Sequence, residues 1–383
     1  MKTIPFNKPH LTGKELKYIA EAVGLGKISG NGVFTGKCHS FFNAKYGFKK
    51  CLLTTSCTDA LEMAAILIDI NPGDEVIIPS FTFVSTSNAF VLRGAKIVFA
   101  DSERNNPNID ANLIEALITP KTKAIVVVHY AGIACDMDHI MSIANKHNLY
   151  VIEDAAQAID SYFISKDGTK RPLGSIGHLA AFSFHETKNV ISGEGGLLVI
   201  NNNTFIDRAE IIWEKGTNRS AFFRGDVDKY GWVDIGSSFL PSDVIAAFLF
   251  AQLENLEKIQ SRRMEIWNLY KTYLNKLEQT GKIKLPFLPT FATNNAHMFY
   301  IICESLEERT QLISKLRQLN IHAVFHYLSL HKSPYYHDKH DGRELENSDS
   351  FADRLLRLPF YCELSNDEIG YISQTILEFY NGK

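Results

Sequence analysis

The sequence predicts an α/β protein: a mostly parallel sheet with flanking helices, followed by a smaller C-terminal α+β domain. Two observations carry that expectation. Apolar runs of strand length alternate with helical segments up to about residue 200, the pattern of a parallel sheet covered on both faces. Polar residues follow those runs, with Asp101, His129, Asp154 and Lys188 at or just past their ends, and open α/β sheets bind ligands beyond the carboxyl ends of strands. The 383 residues leave room for two domains, expected as 1–255 and 256–383.

Residues 10–25 read as a helix with Leu11, Leu16, Ile19, Ala20 and Val23 on one face, ended by Gly24 and Gly26. Gly24-Leu-Gly-Lys-Ile-Ser29 starts like a dinucleotide-binding fingerprint. It ends in serine and follows a helix rather than a strand, so the fingerprint is rejected. A turn at Ser29–Gly32 leads to a helix at about 33–46 carrying Phe34, Phe41 and Phe42, then a short strand at 50–54. The hydroxyl-rich Thr54-Thr-Ser-Cys-Thr-Asp59 opens a helical run, Ala60–Leu67. Hydroxyls in that position cap helices, and the same geometry aims free amides at an anion.

Asn71-Pro-Gly-Asp74 is a turn before the strand Glu75–Ile78. Lys96–Ala100 and Lys123–His129 are further strands, separated by a helix at 110–118. A helix at Asp138–His147 precedes the strand Tyr150–Asp154, and 204–215 is helical. Residues 216–231 form a long polar and aromatic loop, and long loops in compact domains are commonly functional or disordered. Residues 242–279 read as one amphipathic helix striped by Ala246, Leu249, Leu253, Leu256 and Ile259, bridging to the second domain. That domain is expected to hold a strand at 296–303, a helix at 306–319, a polar surface loop at 341–349 and a terminal helix at 366–380.

Composition excludes several classes. A formal charge of −3 from 40 basic and 43 acidic residues gives no bulk attraction to nucleic acid or to an anionic membrane. No apolar run approaches the roughly 18 residues of a membrane span, and Met1–Pro9 lacks the apolar centre of a signal peptide. Six cysteines without CxxC spacing suit reduced thiols and a cytoplasmic setting. His326, His331, His337 and His340 cluster in sequence, but no acid or cysteine completes a regular metal-ligand spacing. No metal is expected.

The chemistry centres on Ala180–Gly196. Lys188 stands there between an apolar run and a Gly-rich turn, and Asp154 ends the preceding apolar run. A strand-end acid followed by such a lysine suits pyridoxal 5′-phosphate. The acid keeps a proton on the pyridine nitrogen, and the lysine forms a Schiff base with the cofactor aldehyde.

Glu153-Asp-Ala-Ala-Gln157, Ser183-Phe-His-Glu-Thr-Lys-Asn189 and Gly193-Glu-Gly-Gly196 resemble the DegT/StrS-like sugar-nucleotide aminotransferases, which are fold-type I pyridoxal-phosphate enzymes. The likeness runs over nearly the whole chain. Pro5–Pro9, Glu214–Ser220, Asp234–Ser238 and Asn295–Tyr300 are similar to the branch that makes 4-amino-4,6-dideoxygalactose on dTDP. The resemblance implies Lys188 and Asp154 as catalytic residues. It implies Ser56, Cys57, Thr58 and Ser183 at the cofactor phosphate, Phe83 stacked on the pyridine and Gln157 on its 3′ oxygen. It further implies a homodimer in which the 216–231 loop crosses to the partner. Ser238 stands where the broader family has an asparagine reaching the partner's phosphate, and Leu240 replaces an arginine, which weakens that donation. Ser29, His185, Arg219, Arg224, His326 and Tyr327 are the implied substrate contacts, with a nucleotide sugar and L-glutamate as substrates. Amination at C3, the gluco isomer, a lysine-free dehydratase and a non-enzymatic sensor are the alternatives. Lys188 argues against the dehydratase, and no DNA-binding segment supports the sensor.

Overall fold

The computed structural model describes residues 3–382, so Met1 and Lys2 of the amino-terminal stretch lie outside the described residues. Eleven strands are formed among them: β1 (Lys50–Thr54), β2 (Glu75–Pro79), β3 (Lys96–Ala100), β4 (Thr122–Val128), β5 (Tyr150–Asp154), β6 (Tyr162–Ile164), β7 (Lys170–Pro172), β8 (Leu179–Ser183), β9 (Gly196–Ile200), β10 (Tyr300–Ile302) and β11 (Leu355–Arg357). Seven of them make the main sheet in the order β1-β9-β8-β5-β4-β2-β3. The ladders among β3, β2, β4, β5 and β8 are parallel, and β9 runs antiparallel to both its neighbours.

Side-chain alternation gives the sheet two buried faces. Ile125, Val127 and Val151 point into one hydrophobic cluster, and Ala124, Val126 and Ile152 into the other. Fully burying each Val or Ile is worth about 1.5–3 kcal/mol, so these strands have no solvent-facing alternative. A third cluster gathers C-terminal residues around Trp267, Tyr270, Phe299, Ile301, Leu356 and Ile372. Met298, Tyr300 and Ile302, alternating with Phe299 and Ile301, belong instead to the first cluster. Strand β10 thus joins the C-terminal packing to the core of the main sheet.

The ends of β4 and β5 are tied by a buried pair. Glu153 accepts from His129 Nε2 at 2.9 Å and from the amides of Gly174, Ile176 and Gly177 at 2.8, 2.7 and 2.6 Å. Burial alone would raise the Glu153 carboxyl. The His129 ring and the Gly177 and Gly174 amides outweigh it and leave the group below the usual carboxylate range. His129, one of the polar strand-end residues, is therefore structural.

Several sequence expectations need correction. The helix expected at 10–25 begins at Glu15, and most of its apolar stripe faces outward: Leu11, Leu16 and Val23 are exposed and Ile19 packs half-buried on the core, whereas Ala22 and the Glu15 carboxylate are buried. Glu15 accepts from the Thr12 and Gly13 amides at 2.7 and 2.9 Å, a local hydrogen-bonding role that a hydrophobic pattern does not register. The single helix expected at 242–279 is two, Asp243–Leu253 and Leu256–Gln279. Asn255 Nδ2 donates to the Ala251 carbonyl at 2.9 Å, satisfying a carbonyl that a helix end leaves free. The apolar stripe continues across the break and so conceals it.

Part of the 216–231 loop is a short helix, Arg219–Arg224. The loop expected at 341–349 gives way at Glu346 to the helix Glu346–Arg354, whose start is held by Asp101. That carboxylate accepts from the Ser348 amide and hydroxyl at 2.7 Å each and from the Asn347 amide at 3.0 Å. Strand β9, the β6–β7 hairpin, β11 and the helix Ser85–Val91 were not anticipated from the sequence.

Candidate active site

Strands β1, β5, β8 and β9 bring their ends to one rim. Asp154 is the last residue of β5 and Ser183 the last of β8. Gly196, the first residue of β9, pairs with both Thr54 and Ser183. A Cβ on Gly196 would lie 2.4 Å from the Ser56 carbonyl and 2.5 Å from the Cys57 amide nitrogen. Only glycine permits that approach of β9 to the start of the helix Cys57–Leu67. Ser56 caps the helix, its Oγ accepting from the Asp59 amide at 3.1 Å. The amides of Cys57 and Thr58, ahead of the capped one, are orphan donors of a helix N-terminus, the usual seat of an anion.

A cavity of about 470 Å³ opens at this rim. Of the residues singled out from the sequence, Ser56, Cys57, Thr58, Phe83, Asp154, Gln157, Ser183, His185, Lys188, His326 and Tyr327 line it. Asp154 Oδ2 accepts from Thr86 Oγ1 at 2.7 Å and Oδ1 from the Ala156 amide at 3.1 Å. Burial pushes the Asp154 carboxyl up, against the pull of Thr86, Ala156 and Lys188. Such an acid calls for a cationic partner in the cavity. Lys188 keeps part of its surface accessible, as a wall residue does, yet its amine is ringed by protein as an interior group is. Desolvation lowers its pKa, Cys57 and Asp154 oppose this, and Arg357 adds to it. The amine is thus biased toward its neutral, nucleophilic form.

Gln157 Oε1 accepts from the Ala131 amide at 2.6 Å, which turns Nε2 toward Tyr327, 3.4 Å from its hydroxyl. The Tyr327 ring lies 5.8 Å from Phe83 and is stacked at 12° on His326.

Four residues sit elsewhere in this chain. Ser29 and Arg219 are exposed and apart from the cavity. Arg224 is held by Glu210 and Asp226 at 2.7 and 2.9 Å. Ser238 is exposed and bridges the Glu214 backbone.

Sequence reasoning missed Thr86, His297 and Arg357. Thr86 supports Asp154, and its helix was not foreseen. His297 and Arg357 line the cavity. His297 is buried, and its Nδ1 donates to Asn189 Oδ1 at 2.8 Å. Arg357 had a visible signal, a lone cation inside the apolar run Leu355–Phe360. No group of three or more metal-ligating residues is assembled among the described residues, and none of their helices is long and apolar enough to cross a membrane.

This donor set fits pyridoxal 5′-phosphate: orphan amides at one end, a buried acid for a ring nitrogen and a nucleophilic amine between them. The comparisons agree. Residues 9–377 match the DegT/DnrJ/EryC1/StrS aminotransferase family. The chain is 33% identical to GDP-perosamine synthase of Escherichia coli O157:H7, over all of both proteins. It is 32% identical to the spore coat polysaccharide biosynthesis protein SpsC of Bacillus subtilis, over 99% of this chain and 97% of that protein. A putative sugar aminotransferase of Streptococcus pneumoniae, Spr1654, solved in a PMP form, superposes with a TM-score of 0.90 at 25% identity, covering 100% of this chain and 98% of that one. Its PLP form superposes with a TM-score of 0.89. The chain belongs to the DegT/DnrJ/EryC1/StrS aminotransferase family and is a pyridoxal-phosphate-dependent sugar aminotransferase.

Proposed function

We propose that the enzyme moves an amino group from L-glutamate to C4 of dTDP-4-keto-6-deoxy-D-glucose, giving the axial, galacto-configured amine for surface polysaccharide synthesis. The observation that carries the transaminase reading is the meeting of Lys188, Asp154, Gln157 and the Ser56-capped helix start in one cavity. The cofactor supplies an electron-accepting ring that stabilises negative charge on the substrate carbon. The Cys57 and Thr58 amides and the Ser56 and Ser183 hydroxyls would hold its phosphate. Asp154 would hold the proton on its ring nitrogen, and Gln157 Nε2 would donate to its 3′ oxygen. Lys188 Nζ carries the proton to and from the substrate carbon as base and then acid. Phe83 and Tyr327 would flank its ring.

The likeness of Glu214–Ser220, Gly236–Ser238 and Ala323–Tyr327 to the galactose-forming branch supports the substrate. Amine orientation depends on which sugar face meets Lys188, and these segments are where sugar and diphosphate contacts are expected. A GDP-linked sugar is the second reading, favoured by the 33% identity to a protein named GDP-perosamine synthase. Incubation with glutamate and each keto sugar, followed by proton NMR of the product, decides between them. A small H3–H4 coupling on a dTDP product is expected. A large coupling refutes the axial assignment, and turnover of the GDP sugar alone refutes the nucleotide.

The site is read as completed by a second copy of the chain. Leu16, Val23, Leu25 and Ile28 form an exposed apolar stretch, and Phe223 and Trp232 are exposed in and beside the 216–231 segment. Such apolar surface on one chain marks an association site. Sedimentation at assay concentration is expected to give a dimer, and a fully active monomer would remove the idea.

A further inference from the structure

Asn189 follows Lys188 in the chain, and its side chain enters a buried series of amides. Its Nδ2 donates to the Asn295 carbonyl at 3.0 Å and to Gln260 Oε1 at 2.8 Å. Gln260, on the helix Leu256–Gln279, donates through Nε2 to the same carbonyl at 3.3 Å. Asn295 donates through Nδ2 to the Gln157 and Ile159 carbonyls at 2.8 Å each, and its Oδ1 accepts from the His297 amide at 3.0 Å. A main-chain carbonyl can only accept. Each of these side-chain amides therefore has one orientation, and Asn189 Oδ1 faces His297 Nδ1, 2.8 Å away. That contact requires the ring proton to sit on Nδ1.

The ring is also neutral. Burial, then the charges of Lys188, Arg357 and Arg263, push its pKa well below the ordinary histidine range. A neutral imidazole with its proton on Nδ1 has a bare Nε2. His297 is 3% exposed and lines the cavity. No described residue donates to Nε2, and this atom is not sealed in protein, so it opens on the cavity. In the same cavity Lys188 Nζ presents donors that no described residue accepts. A desolvated ammonium without an acceptor is costly. Lys188 is an ammonium whenever it carries the substrate's proton, and at those moments it is detached from the cofactor and free to swing. We propose that His297 is a positioning residue whose Nε2 accepts a hydrogen bond from the released Lys188 ammonium and keeps Nζ beside the substrate carbon, while the Asn295 and Asn189 amides hold the ring in the tautomer that can do so. The proton stays on Lys188, because the ring is too weak a base to take it. Lys188 is released in both half-reactions, so His297 serves both. This rests on the role given to Lys188 above.

Nitrogen NMR of enzyme carrying labelled histidine reads the tautomer, with His297→Phe identifying the signal. A proton on Nδ1 and none on Nε2 is expected at neutral pH. Conversion from the aldehyde-loaded to the amine-loaded enzyme frees Lys188, and the Nε2 resonance is then expected to move upfield as it gains a donor. A protonated Nε2, or no movement when Lys188 is freed, overturns the proposal without reference to turnover. Single turnovers with glutamate and with keto sugar measure the consequence. His297→Phe keeps the bulk of the ring and is expected to lower the maximal rate of both halves by about ten- to a hundredfold, the worth of one hydrogen bond to a charged group. Half-saturating substrate concentrations are expected to change by no more than about a few-fold. His297→Gln, whose Oε1 can accept, is expected to recover part of the rate. Loss in the sugar half alone would give Nε2 to a sugar hydroxyl and overturn the proposal, as would lost affinity at an unchanged rate. If His297→Phe fails to fold, His297→Gln identifies the signal and the wild-type spectra decide. Turnover by Lys188→Ala enzyme would instead refute the reading of Lys188.

Discussion

Lys188→Ala is expected to cut turnover by about ten-thousandfold, the upper end of what a positioned proton-transfer group contributes, and to remove the visible absorbance of the cofactor-loaded protein. Among the described residues, Lys188 is the only lysine lining the cavity. Desolvation, with Arg357 adding to it, disposes its amine to lose its proton, so the side chain can both attack a carbonyl carbon and accept a proton. No nearby side chain replaces it. The Cys57 thiol is pushed well up by burial and by Asp154, and His297 is committed through Nδ1 to Asn189. Absorbance spectra and single-turnover rates of the two proteins check the expectation. An active Lys188→Ala enzyme would end the proposed role.

Asp154→Asn is expected to bind cofactor yet turn over at least about a hundredfold more slowly, the magnitude of a lost acid–base or charge-stabilising group. Asparagine keeps the shape and the Oδ1 acceptor of the Ala156 amide, and its Nδ2 can donate to the Thr86 hydroxyl, so folding and loading should survive. What is lost is the negative charge that keeps a ring nitrogen protonated. Direct comparison of kcat with cofactor content separates the two effects. Near wild-type turnover at full loading would show that Asp154 has another partner.

Most of the sheet and half of the site were legible because both rest on local signals. Runs such as Ala124–Val128 declare a strand by composition, and Asp154, Gln157 and Lys188 fall in short, dense motifs. What stayed hidden depends on distance in sequence. Thr86 meets Asp154 from a short helix, Arg357 and His297 come from the C-terminal third, and Asn255 ends a helix within an unbroken apolar stripe. The outward face of the first helix misled the reading for another reason. Periodicity reports that apolar residues share a side, not which side the fold covers.

The neighbouring acids of β5 draw a limit on how this protein can vary. Glu153 locks the frame through His129 and three amides, while Asp154 faces the cavity. Because successive residues of a strand face opposite ways, one residue gained or lost between Tyr150 and Glu153 would turn each acid to the other face of the sheet. Glu153 would leave the His129 ring and its three amides, and Asp154 would leave the Thr86 hydroxyl and the Ala156 amide. A substitution at either acid costs the frame or the site, whereas a change of length in this strand is expected to cost both at once.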